Sequence, residues 1–242
     1  MPLHVKQKAL LRLFTEGARK TFENAQELFA EAVLLAKAQA FGRAFFLHQI
    51  SLEECAKVEM LGTSVTSLLM GHEVGLNNLR KAFRSHEIKN RANAYFLTPT
   101  KAELAARERN DVSGAVAAFS KLQGAFHAKS NAGKNASLYV DFGDSFTSPR
   151  EVITARMVAK IRRLNSRYVR LMEPKVGMLL RWEQNPEAIA EKLAQMEKQL
   201  LLLKERFPKE PATALEIFME ELSRARSDSG GQQGVRGSRK GN

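Results

Sequence analysis

Five cations crowd one histidine between Arg80 and Arg91. Arg80, Lys81, Arg84, Lys89 and Arg91 surround His86 and only Glu87 opposes them, which leaves a net charge of +4 over twelve residues. A histidine can take the proton of a ribose 2′-hydroxyl, and nearby cations can hold the scissile phosphate as charge builds on it. The composition therefore suits phosphodiester cleavage without a metal. If the segment is one unbroken helix, at about 100° per residue, Arg80 and Arg84 point roughly 240° and 160° away from His86, whereas Lys89 shares its face. The arginines then need a bend or a second subunit to come round. The plainer alternative is an exposed helical histidine amid ordinary surface charge.

Other candidates are spread along the chain. Arg43 precedes His48 by five residues, but His48 falls between Phe45 and Leu52 on an apolar stripe, where a core histidine is the better expectation. Glu53-Glu54-Cys55-Ala56-Lys57 follows on the same helix. Its spacing predicts a Glu53–Lys57 i, i+4 pair, and a metal role for the glutamates would need a matching Glu or His elsewhere. Arg156, Lys160, Arg163, Arg167 and Arg170 step by four and three, so five cations share a helical face about 20 Å long. Such a row can track the phosphates of RNA, or it can be a solvated face paired with acidic neighbours.

Nucleotide-dependent, zincin and α/β-hydrolase chemistries lose their usual signatures, because P-loop, GxGxxG, HExxH and GxSxG patterns are all missing. No metal and no cofactor is expected. The single cysteine, Cys55, excludes an internal disulfide and a cysteine zinc site, and inside a packed helix it is a poor nucleophile.

These residues sit in a chain of 242 with 38 Lys plus Arg against 26 Asp plus Glu, a formal charge of +12 that favours polyanionic partners. No window approaches the ~18 apolar residues of a membrane span, and the N-terminus meets charge too early for a secretory leader. A reduced, cytoplasmic protein with no membrane partner is expected.

The elements that must position the candidates read as helices. Pro is sparse before Trp182 and β-branched alternation is missing. Phe14, Ala18, Phe22, Ala25, Leu28, Ala32 and Leu35 form one stripe on a helix from about Val5 to Ala40; Phe41, Ala44, Phe45, His48, Leu52 and Ala56 form a second, extending to about Met70. Further helices are predicted over Leu76–Phe96, Lys101–His127, Pro149–Leu180, Asn185–Phe207 and Pro211–Arg226. The helix at Pro149 opens on the capping box Ser148-Pro149-Arg150-Glu151. Ser130 to Pro149 reads as a long ordered loop around Leu138-Tyr139-Val140-Asp141. The expected organisation is a helical bundle over 1–182, a helical extension packed on it over 183–226, and a disordered basic tail over 227–242.

Three patterns, in this order, resemble the AbiV family of bacterial abortive-infection proteins, within the all-helical HEPN superfamily. They are Glu-Glu-x-x-Lys at Glu53–Lys57, Phe-x-x-His-x-x-Lys at Phe83–Lys89, and Lys-Asn-x-x-Leu-Tyr-Val-Asp at Lys134–Asp141. The likeness covers roughly residues 15 to 180.

The resemblance implies an all-α, HEPN-like antiparallel bundle with extra C-terminal helices. It also implies a homodimer that shuts down the phage-infected cell, and the leading expectation is that it does so by cutting RNA or by blocking translation when a phage-encoded protein triggers it. Many HEPN proteins act as metal-independent ribonucleases through Arg-x4–6-His. Here that motif fits Arg80 and His86, with Lys81 where a polar residue usually follows the Arg. His86 would be the base, and Arg80, Arg84 and Lys89 would hold phosphate. A second candidate, Lys134, Asn135, Tyr139 and Asp141, keeps the spacing of Arg-Asn-x3-His with a weakly basic phenol for the imidazole. Glu53, Glu54 and Lys57 would support the site. A non-catalytic effector or scaffold that holds RNA or an acidic protein on the Arg156–Arg170 face is the competing expectation.

Overall fold

The computed structural model describes residues 3–208, 210 and 213–221, and nearly all its regular structure is helical, as the all-α expectation requires. In chain order the elements are α1 (Val5–Lys37), α2 (Phe41–Leu69), α3 (Leu76–Arg84), α4 (His86–Asn93) with a 3₁₀ turn at Ala94–Phe96, α5 (Lys101–Glu108) and α6 (Val112–Leu138). There follow two-residue strands β1 (Asp141–Phe142) and β2 (Phe146–Thr147), then α7 (Pro149–Val152), α8 (Ala155–Gln184) and α9 (Pro186–Arg206). Residues 213–221 form a further helix. The tail expected over 227–242 lies outside the described residues, as does the end of the helix expected to reach Arg226.

Three of the breaks share one chemistry. After α1, Gln39 N–H donates to the Ala36 carbonyl and Ala40 N–H to that of Leu35; after α2, Gly71 and His72 repeat the pattern onto Leu68 and Ser67. After α5, Asn110 and Asp111 do so onto Arg107 and Ala106. These are Schellman caps, whose first residue past the cap adopts left-handed φ, and the values are 59° at Gln39, 81° at Gly71 and 53° at Asn110. Glycine and asparagine tolerate this region, but a glutamine does not. Gln39→Gly is therefore expected to raise the unfolding free energy by about 0.5–1 kcal/mol. A urea midpoint that stays put or falls would show that Gln39 carries no such strain.

α1 and α2 run antiparallel: Gly17 lies over Leu61, and Ser51 Oγ donates to the Ala25 carbonyl at 2.7 Å. α8 runs alongside α2 in the same direction, because Asn165 reaches His48 and Ser51 while Lys175 reaches Glu59. It is antiparallel to α1, with Glu183 meeting Thr15. The core lies between the three. Leu11, Phe14, Ala18 and Phe22 of α1 and Leu52, Ala56, Val58 and Leu61 of α2 are buried together with Ile161, Tyr168, Met172 and Leu179 of α8. At the turn end of the α1–α2 hairpin, Gly42 lets the first turn of α2 touch its neighbours; a Cβ there would stand 2.9 Å from the Ser137 carbonyl and 3.0 Å from Pro149 Cβ.

The chain divides into two compact units, Met1–Pro99 with Phe119–Glu191, and Thr100–Ala118 with Lys192–Asn242. The second has its own small core of Leu203, Ala214 and Phe218, covered by Met196 and Leu200.

Four expectations about elements are corrected, the first being the helix expected over Lys101–His127, which is interrupted at 109–111 between α5 and α6. The helix expected over Leu76–Phe96 breaks at Ser85, whose hydroxyl accepts the Ile88 N–H at 3.2 Å and restarts the chain as α4. The first half of the long loop expected from Ser130 is helix: α6 continues to Leu138, and 139–148 remain, folded around the β1–β2 hairpin. The capping box at Ser148 opens the single turn α7, after which Thr154 caps α8 anew by accepting the Met157 N–H at 3.3 Å.

Candidate functional site

The middle of α2 is enclosed on every side: Ser51 through Ala56 are buried at each position, so Glu53 and Glu54 are inside the protein. A buried carboxylate is costly unless paired and hydrogen-bonded. Glu53, 1% exposed, has three cationic or ionisable partners. His86 Nδ1 and Lys89 Nζ approach its Oε2 at 2.6 and 2.7 Å, and Lys134 Nζ stands 3.7 Å from its Oε1. The expected Glu53–Lys57 pair is not formed. Lys57 turns instead to Glu54 at 2.6 Å and lies over the Phe83 ring at 5.6 Å, because Glu53 faces α4.

The break at Ser85 makes this convergence possible. It places His86 at the first position of a new helix, and α4 then presents residues 86, 89, 90 and 93, spaced i, i+3, i+4, i+7, as one polar face. Lys89 goes to Glu53, Asn90 Oδ1 accepts from Gln49 Nε2 at 3.3 Å, and Asn93 Nδ2 donates to the Leu52 carbonyl at 2.8 Å. Tyr168 of α8 closes the layer by donating to the Asn93 carbonyl at 2.5 Å; burial pushes its phenol pKa up. α6 contributes Lys134 and, two turns earlier, His127, whose Nδ1 lies 3.5 Å from the Asn90 amide.

A carboxylate only accepts hydrogen bonds, so His86 Nδ1 carries the proton of the 2.6 Å contact, and in the neutral ring Nε2 is the acceptor. Glu53 is sealed while the His86 side chain is half exposed, at 50%. The ring is thus held at Nδ1 by a sealed carboxylate while half of its side chain stays exposed. Among the described residues no group of three or more His, Cys, Asp or Glu is placed to hold a metal ion. At Glu53 a cation would also meet two ammonium groups.

The other candidates lie elsewhere. Arg80 donates to Asn77 Oδ1 at 3.2 Å, and with Arg84 it lines a groove of about 350 Å³ floored by Leu13, Phe14, Gly17, Leu61, Leu76, Leu79 and Phe83. Of the Lys134, Asn135, Tyr139 and Asp141 set, only Lys134 reaches Glu53. Asn135 and Tyr139 are exposed, linked by the Tyr139 N–H to Asn135 carbonyl bond at 3.0 Å, and Asp141 Oδ1 accepts its neighbour Phe142 N–H at 2.9 Å. Arg156, Lys160, Arg163, Arg167 and Arg170 are all exposed, while Val158, Ile161, Asn165, Tyr168 and Met172 on the other face are buried. Among the described residues none of the five cations forms an ion pair; Arg170 bonds only the Ser166 carbonyl, at 3.3 Å. Cys55 is buried and its thiol pKa is pushed up to about 12, which leaves it protonated and unreactive.

The model of the AbiV family matches residues 13–170, a span that takes in Glu53, His86, Lys89 and Lys134. An uncharacterized protein of Sinorhizobium fredii (strain NBRC 101917 / NGR234), y4gJ, is 33% identical over 123 residues, covering 50% of this chain and 64% of that protein. No solved structure matches. No helix among the described residues is long and apolar enough to cross a membrane. With the match covering well over half its length and the motifs of α2, α4 and α6 meeting at one buried carboxylate, the chain belongs to the AbiV family of HEPN abortive-infection proteins.

Proposed function

We propose that this AbiV-family chain is a cytoplasmic anti-phage effector that binds RNA along α8 and cleaves it without a metal, set in action by a phage-encoded protein. The observation that carries the reading is the Glu53–His86 contact at 2.6 Å, made through Nδ1 by a side chain that is half exposed. In this role Nε2 takes the 2′-hydroxyl proton, the 2′-oxygen attacks the adjacent phosphorus, and the 5′-oxygen leaves with a proton drawn from water, giving a 2′,3′-cyclic phosphate and a 5′-hydroxyl. Glu53 fixes the ring and stabilises the imidazolium that forms. Lys89 and Lys134 outnumber the one carboxylate between them, so the cluster carries an excess positive charge beneath the ring even before His86 is protonated. Arg80 and Arg84 add to the field that draws a polyanion.

The test uses labelled RNA in EDTA, with and without extract from phage-infected cells. Wild type is expected to yield 2′,3′-cyclic ends, and His86→Ala to cut at least about a hundredfold more slowly. Loss of stability does not confound this variant, since Lys89 still holds Glu53 when a half-exposed ring is removed. Wild type that cuts nothing under either condition, or His86→Ala that cuts equally well, ends the catalytic reading.

The second reading, an effector that holds RNA without cutting it, is favoured by the five exposed cations of α8, none of which forms an ion pair among the described residues. Arg163→Glu with Arg167→Glu is expected to weaken RNA binding and flatten its salt dependence, each lost phosphate contact reducing the slope of log K against log salt by about 0.7–0.9. Unchanged affinity and slope would show that RNA does not lie on this face.

A further inference from the structure

A second histidine meets α4 one helical turn from His86. His127 of α6 is partly buried, and its Nδ1 faces the side-chain amide of Asn90 at 3.5 Å. That amide is itself fixed. Gln49 Nε2 donates to Asn90 Oδ1 at 3.3 Å, and both residues are buried, so the NH₂ end of Asn90 is the one turned towards His127. An amide nitrogen does not accept hydrogen bonds; His127 Nδ1 is therefore the acceptor, and in the neutral ring the proton sits on Nε2. His86 is held the other way, with its proton on Nδ1 against Glu53. One buried polar layer thus fixes two imidazoles in opposite tautomers, the first suited to taking a proton and the second to offering a hydrogen bond.

Their anchor points fit one substrate group. His86 and Asn90 are four residues apart on the same face, hence ~6 Å along α4. Gln123 Nε2 donates to the Arg91 carbonyl at 3.1 Å while Lys134 reaches Glu53, so α6 runs past α4 in the opposite direction and brings His127 beside that turn. The one acidic residue of α4, Glu87, is tied to Arg91 at 2.9 Å. We propose, resting on the reading of His86 as the base of RNA cleavage, that His127 is a further catalytic residue whose Nε2–H donates a hydrogen bond to a non-bridging oxygen of the scissile phosphate. His127 transfers no proton. As the bond from the 2′-oxygen to phosphorus forms and that to the 5′-oxygen breaks, negative charge gathers on the non-bridging oxygens, and a donor already aimed there stabilises the transition state more than the ground state. A neutral imidazole suits this task, since it needs no recharging between turnovers. Asn90 and Gln49 touch no substrate and are positioning residues that set the tautomer.

Two measurements test it, one of them independent of activity. Long-range proton–nitrogen spectra of the full chain with nitrogen-15 histidine, assigned against His127→Gln and His86→Ala, are expected to show a protonated Nε2 and a bare Nδ1 for His127, and the reverse for His86. A proton on Nδ1 of His127 overturns the proposal. In the EDTA cleavage assay His127→Ala is expected to cut about a hundredfold more slowly, with kcat falling far more than KM changes, and His127→Gln, which keeps an N–H at a similar reach, to recover at least about tenfold of that loss. RNA with a single phosphorothioate at the cut site separates contact from folding. Wild type should cut one diastereomer at least about tenfold faster than the other, and His127→Ala should cut both at similar rates. A diastereomer preference that survives His127→Ala, or a Gln variant no better than Ala, ends the role of His127 and leaves His86 in place as the base. Wild type that cuts nothing ends the nuclease reading and the role of His127 with it.

Discussion

Replacing Glu53 with alanine is expected to lower the unfolding free energy by about 3–5 kcal/mol, the range for breaking a buried ion pair from one side. Lys89 and Lys134 are both buried and both depend on this carboxylate, so its removal leaves two ammonium groups facing each other without an anion. Glu53→Gln keeps the volume and one acceptor yet leaves the same charge imbalance, and should be nearly as harmful. The contrast is Glu23, an exposed i, i+4 partner of Arg19, whose replacement should change stability by no more than about 0.5 kcal/mol. Urea unfolding followed by circular dichroism measures all three. Adding Lys89→Met to Glu53→Gln should recover part of the loss, because one stranded charge is then gone. If Glu53→Ala costs under about 1 kcal/mol, or Lys89→Met recovers nothing, Glu53 is not the ionic pivot of the bundle.

The same arithmetic separates stability from activity at the site. Glu53 is sealed and shared among three partners, so any change there disturbs packing and ring orientation together. His86 is attached to the cluster but half outside it. Variants of His86 therefore report on chemistry, and variants of Glu53 chiefly report on folding.

Much of this arrangement was legible in the sequence, and the gaps have physical causes. The α1 stripe and the division of α8 into a cationic and an apolar face follow from the 3.6-residue period, and both are found. The position of His86 could not be read from that period, since the period assumes an unbroken helix and Ser85 interrupts it. The signal was present nonetheless: a serine before His86-Glu87-Ile88 is an N-cap. Asn110-Asp111 was missed in the same way, with Asn110 in the left-handed cap and Asp111 accepting the Gly114 N–H at 2.8 Å to start α6. Reading Glu53 and Lys57 as an i, i+4 pair failed for a different reason. A local pattern does not reveal that α2 is enclosed on all sides, and burial forces Glu53 to seek partners 33, 36 and 81 residues away. His127 had no motif to mark it. Its link to Asn90 depends on α4 and α6 facing each other, which only the tertiary fold determines.

His48 makes the second large effect one of pH. It is fully buried on α2 with Nδ1 3.2 Å from the Asn165 amide, while Nε2 has no hydrogen-bond partner among the described residues and the Phe29 ring stands 5.1 Å away. Burial, and secondly the positive charge of Arg162, lower its pKa from 6.5 to about 4. Between those values the unfolded chain binds a proton that the folded protein refuses. Stability is therefore complete above about pH 6.5 and declines as the pH falls towards 4, by about 3 kcal/mol in total. His48→Gln keeps a polar group opposite Asn165 and cannot titrate, so it should lack this component while sharing the acid response of every carboxylate. Urea midpoints of both proteins at pH 7.5, 5.5 and 4.5 isolate it. Wild type should lose more stability than His48→Gln at each acidic step, and parallel losses would show that His48 is not the buried base that sets the acid limit of the bundle.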